Sequence, residues 1–176
     1  MMTPDKVSPS QKLALVNHFR RNVPVDVEGL AFALGVPVHY SDLPDHISGM
    51  IEPHPLGGFQ IFVNRKHPTT RQRFTIAHEL GHYINHANLI GSGVGDDRAY
   101  RSADTGRYKN TVIGPKQETE ANRFAATLLM PLETIHAIQL REGINDPSVL
   151  AKRFEVSDHA MHIRMGVQYE PHPSFL

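Results

Sequence analysis

The chain has 176 residues, 40% of them apolar, with 18 basic and 18 acidic side chains and a formal net charge of zero. That length suits one domain with a real core, and the charge balance excludes a general attraction to nucleic acid or an acidic membrane. Cysteine is absent, which excludes disulfides, thiolate zinc sites and thiol nucleophiles and leaves histidine and carboxylate as the available metal ligands.

Met1 to Pro9 is polar and lacks the apolar core of a signal peptide. No run approaches the roughly 18 apolar residues of a membrane span, so a cytoplasmic protein is expected. Ser8-Pro9-Ser10 reads as a helix start, with Leu13, Val16 and Phe19 at helical spacing and Pro24 as the end of the unit. Asp26 reads as the N-cap of a second helix with Val27, Leu30, Ala31 and Leu34 on one face and Gly35 as its stop. Val36 to Tyr40 reads as a short strand, and Ser41 to Asp45 as a turn. Ser48 to Glu52 and Phe59 to Asn64 read as a hairpin whose second strand is covered on both faces. Its position just before the next helix fits either an ordinary sheet edge or a cleft border to which an extended peptide adds as a strand.

Pro68-Thr69-Thr70 opens a long helix expected to reach about Ala87. Asn88 to Gly114 is rich in Gly, Asp, Arg and Tyr and reads as a long flap-like loop. Pro115 opens a helix through Met130, Pro131 restarts it, and Leu132 to Arg141 forms a further helix ending at Gly143. Asp146-Pro147 is an N-cap with proline in the first helical position. Val149 to Phe154 follows, and Ser157 caps a last helix to about Met165, before a loose polar tail from Gln168. The pattern is α+β: a small sheet of about three strands packed on a mainly helical core. One domain spans 1–176, with its core over 25–145, a C-terminal helix pair over 146–166 and a tail over 167–176.

The chemistry concentrates at His78-Glu79-Leu80-Gly81-His82. Two histidines four apart share a helical face, and an acid follows the first, as in zinc peptidases whose glutamate is the general base. At about 100° per residue from Phe74 to His86, Thr75, His78, Glu79, His82, Asn85 and His86 fall on one stripe, and every other face is apolar. Such a helix is a buried one. A buried polar stripe must meet something polar, and a metal ion meets that need better than two surface histidines would.

A catalytic zinc site takes a third protein ligand and keeps one position for water. Glu118 and Glu120 are the candidates. On a helical wheel Glu118 lies with Ala121, Ala125, Leu128 and Leu129, whereas Glu120 lies opposite, with Lys116 and Arg123 at pairing distance. Periodicity therefore favours Glu118, a carboxylate in an apolar stripe that needs a strong partner.

The stretch from Arg73 to Tyr83, followed by Glu118-Thr119-Glu120-Ala121-Asn122-Arg123-Phe124-Ala125-Ala126-Thr127-Leu128-Leu129-Met130-Pro131, resembles the ImmA/IrrE metallopeptidases over about Val25 to Met165. The resemblance implies a zincin-like fold, Zn2+ held by His78, His82 and Glu118, and Glu79 as catalytic acid/base. Asn122, four residues after the ligand glutamate, is expected to support the site, and His86 to lie beside it. The resemblance also implies a protein partner and substrate, a helix-turn-helix repressor or antitoxin encoded nearby, whose cleavage regulates genes. The rival reading is a non-catalytic, zinc-stabilised regulator that binds a transcription factor or DNA. Val149 to Met165 has helix-turn-helix spacing, with Ala151, Val156 and Ile163 as packing positions. No strong basic patch accompanies it, so direct nucleic-acid binding is not expected.

Overall fold

The computed structural model describes residues 7–90, 100–101 and 113–169. Most of the expected flap and most of the tail fall outside them. The first two helices are α1 (Pro9–Phe19) and α2 (Val27–Ala33). Ser8 and Asp26 cap them by accepting from the backbone N–H of Gln11 and Gly29. Leu13 does not join the core; it is 62% exposed. The buried face of α1 is set instead by Lys12 and Val16, with the Lys12 ammonium lying 3.9 Å from the centre of the Tyr83 ring.

Strands β1 (Val38–Ser41), β2 (Gly49–Pro53), β3 (Phe59–Asn64) and β4 (Tyr100–Arg101) form one sheet in the order β1-β3-β2-β4. β1 pairs parallel with β3, and β2 pairs antiparallel with both β3 and β4. The expected three strands thus gain a fourth, two residues long, from the segment read as pure loop. β3 has partners on both sides and is buried at five of its six positions, so it offers no free edge to a peptide. β2 is paired on both sides at Met50 and Ile51. Asn64, fully buried, anchors the chain entering β2: its Nδ2 donates to the carbonyls of Leu43, Pro44 and Ile47.

The long helix α3 (Thr69–His86) lies against this sheet, followed by a 3-10 turn at Ala87–Leu89. Thr75 to Tyr83 are buried without interruption, as a helix with one polar stripe requires. Gly49 lets the sheet come this close, because a Cβ there would lie 2.4 Å from Thr75 Cγ2 and 2.6 Å from the Phe62 carbonyl oxygen.

Helix α4 (Pro115–Leu129) crosses α3 in the most extensive helix–helix packing of the described residues. α5 (Leu132–Glu142), α6 (Pro147–Phe154) and α7 (Asp158–Met165) complete the chain. Ala151, Phe154, Val156 and Met161 close the α6–α7 pair. Ile163, expected among these packing positions, is 67% exposed; two residues from Met161 it points about 200° away around the helix. Among the described residues no helix is long and apolar enough to cross a membrane.

Candidate metal centre

Two small residues set the α3–α4 spacing. A Cβ on Gly81 would lie 3.2 Å from the Ala121 Cα and 3.1 Å from Phe124 Cδ1. The glycine within the histidine motif is therefore where α4 rests on α3. With Ala121 at the contact, a rotation of about 100° per residue puts Glu118 and Asn122 on one side and Glu120 on the other.

This crossing brings His78, His82 and Glu118 together, and they form a group able to hold a metal ion. The two imidazole Nε2 atoms are 3.0 Å apart, and Glu118 Oε2 is 3.2 Å from His78 Nε2 and 3.9 Å from His82 Nε2. An ion held tetrahedrally at about 2.0–2.1 Å from each donor requires donors about 3.3 Å apart. The three atoms fit such an ion. His78 and His82 are buried, whereas the Glu118 side chain is 33% exposed. The expectation of a carboxylate sunk in apolar surroundings is corrected here: Glu118 stands in the first turn of α4, at the mouth of the pocket.

The remaining ring nitrogens are also engaged. His78 Nδ1 is 2.9 Å from Asn122 Oδ1, an acceptor, so Nδ1 carries the proton and Nε2 is free to ligate. His82 Nδ1 is 3.0 Å from His86 Nδ1, and His86 Nε2 is 2.8 Å from Glu120 Oε2. The carboxylate fixes the direction of this chain. His86 donates to Glu120 and accepts from His82, which again leaves a ligand-ready Nε2 at the pocket. Glu120 lies on the solvated face as expected, 42% exposed and in the field of Lys116 and Arg123, and it also ends this relay. A helical wheel of α4 alone places it opposite Glu118; the crossing of α3 lets the two glutamates straddle one contact. The hydrogen bond from His86, followed by the charges of Lys116 and Arg123, holds its carboxyl below the usual range despite some desolvation.

Burial pushes His82 down to about 2, aided by His78 and His86; it is neutral, the form that binds metals. Burial also disfavours charge on His78, but contact with Glu118, the charges of Glu79 and Glu118 and the bond to Asn122 outweigh it and raise its pKa. The field between His78 and Glu118 thus favours a cation. Glu79 is completely buried.

The pocket in front of this group is about 250 Å³ and is lined by Ser48, Arg71, Phe74, Thr75, His78, Glu118 and Asn122. Ser48 and Arg71 are linked by a 3.0 Å hydrogen bond from the guanidinium. Neither is evident from the histidine motif. Arg71 had a signal, since it lies seven residues before His78, two turns up the same face, but a stripe read from Phe74 onward stops short of it.

A mixed α+β chain with two imidazoles and a carboxylate meeting between crossed helices has the form of a metallopeptidase domain. The chain belongs to the Peptidase M78 family: the family model, described as an IrrE N-terminal-like domain, matches residues 31–165. Among solved structures it is similar in fold to a Mycobacterium tuberculosis transcriptional regulator, at a TM-score of 0.55 and 22% identity over 96% of this chain and 49% of that one. The present chain therefore spans about half the length of that protein. Curated proteins give no match.

Proposed function

We propose that this protein is a zinc-dependent endopeptidase of the cytoplasm that cleaves a helix-turn-helix repressor or antitoxin and so alters gene expression. The observation that carries the chemistry is the convergence of His78, His82 and Glu118. Two imidazoles and one carboxylate are the donor set of catalytic zinc sites, which keep a position open for water. Zinc held there would supply Lewis acidity and lower the pKa of a water to about 7.

The chain's own residues do the rest. Glu79, one residue after the first ligand and shielded from solvent, accepts a proton from the attacking water and passes it to the leaving amine. Asn122 and the His86–Glu120 pair hold the two ligand rings in the required tautomer and orientation. Arg71 places a cation on the pocket wall, suited to a substrate carbonyl or carboxylate. A purely structural zinc site has no use for a buried acid beside its first ligand, which sets the non-catalytic reading behind this one. The family match and the fold similarity to a transcriptional regulator support a regulatory protein as partner.

The test is to purify the zinc-loaded protein with the repressor or antitoxin encoded beside it and follow cleavage by intact mass. Glu79→Gln is expected to keep its zinc and lose cleavage by about 10³-fold or more, as for removal of a general base that also orients the nucleophile. Cleavage surviving in that variant would overturn the mechanism.

A further inference from the structure

The metal pocket continues into a larger hollow. Arg71, Phe74 and Asn122 line both. The second space, about 720 Å³, runs between the start of α3, the second half of α4 and α7, within the size range of ligand sites. Its walls include Ala126, Met130, Val156, Ala160 and Ile163. Ile163 is the most exposed large apolar side chain of the α6–α7 pair, at 67%. Arg71 and Arg164 bring two cations, and among the described residues no carboxylate lines the space. Arg164 is fastened by a 2.8 Å hydrogen bond from Nε to the Met130 carbonyl, so the helix with recognition-helix spacing is docked as a wall of this hollow.

We propose that this hollow is the specificity subsite of the metal centre: it receives an apolar side chain, of leucine to phenylalanine size, next to the scissile bond of the polypeptide substrate. This rests on the peptidase reading above. Continuity selects the occupant. Asn122 touches the ligand His78 on one side and lines the hollow on the other, so a peptide held at the metal site has its neighbouring side chain at the entrance. Charge narrows the choice further, because two arginines with no lining carboxylate disfavour a basic side chain. Specificity then resides in α7 and the end of α4, away from the ligands themselves.

The probes are acetohydroxamate and the N-formyl hydroxamates of glycine, leucine, phenylalanine, aspartate and lysine, titrated calorimetrically into the zinc-loaded full chain. The leucine and phenylalanine compounds are expected to bind about 10- to 100-fold tighter than the glycine compound, the worth of removing such a side chain from water, and the lysine compound weakest. Ile163→Asp, at an exposed position, and Ala160→Trp, which fills the space, should each cut that preference below about 3-fold and leave acetohydroxamate affinity unchanged. Acetohydroxamate binding without any apolar preference, or a preference that survives both variants, would overturn the subsite alone. Failure of the protein to take up zinc or acetohydroxamate would overturn the peptidase reading and the subsite with it. A dimer in light scattering that Ile163→Asp converts to monomer would assign the hollow to a second copy and overturn the proposal.

Discussion

The seam between α3 and α4 holds the two histidines of the proposed metal centre in opposite ways. At one end His78 is backed by Asn122, an exposed residue, and faced by a partly exposed Glu118 at the mouth of the pocket. At the other end His82 is fully buried and is backed by His86, 5% exposed, which is backed in turn by Glu120, 42% exposed at the surface end of the relay. A centre that must admit substrate needs an approachable side, and it keeps its geometry only if the other side is fixed. On the peptidase reading, the first end would give access and the second rigidity. Water can replace a lost partner at the first end; at the second, a missing partner leaves a buried polar group unpaired, which is the costlier defect.

The largest difference is expected between a donor and a backing residue of the same chemical type. Glu118→Ala is expected to lower zinc affinity by more than about 10³-fold, since it removes one of three protein ligands. Glu120→Ala removes an identical carboxylate two residues away and should cost only about 10-fold. Equilibrium dialysis against a competing chelator measures both. Equal losses would abolish the distinction between ligand and support, and the reverse order would exchange the two assignments.

The next effect sets the two ends against each other. His86→Ala should weaken zinc binding by about 100-fold, and Asn122→Ala by about 10-fold, both within the range for residues that orient ligands. The inequality is the point: water reaches the position of Asn122 far more readily than that of His86. Adding Glu120→Ala to His86→Ala should change little more, because the relay is already cut. A larger loss from Asn122→Ala would place the rigid end of the seam at His78.

Much of this was legible in the residues. The α3 stripe is a property of one helix, and periodicity reads one helix well. Capping residues Ser8, Asp26 and Ser157 each accept from the backbone of the first turn as their chemistry demands. The choice of Glu118 over Glu120 also came from a single helix, and the geometry brings Glu118 to the histidines. What escaped depends on two elements at once. Glu120 reaches His86 only because α3 crosses α4 at Gly81 and Ala121. Ile163 leaves the core because Met161, two residues earlier, is the residue of α7 that is buried, and the two point to nearly opposite sides of the helix. β4 joins the sheet through a partner fifty residues earlier in the chain, Met50 and Ile51, and two residues carry no periodicity.

The smallest effect on the metal is expected from Arg73, which serves as a control on the far side of α3. Five residues before His78, it points about 140° away from the ligand stripe. Its guanidinium donates to the carbonyls of Val25 at 2.9 Å and Glu155 at 3.1 Å, and lies 3.5 Å from the Glu155 carboxylate, with the side chain only 13% exposed. It thereby ties α3 to the start of α2 and to the turn between α6 and α7. Arg73→Ala leaves two carbonyls without a charged donor, which should cost about 2 kcal/mol and lower Tm by about 4–8 °C for a chain of this length. Zinc affinity should stay within about 2-fold of the parent, because the donors and their supports lie across the α3–α4 seam and none of them touches Arg73. If metal affinity falls in step with Tm, the two ends of the seam are not a rigid unit of their own, and the fixed geometry at His82 would depend on how α3 is clamped from behind.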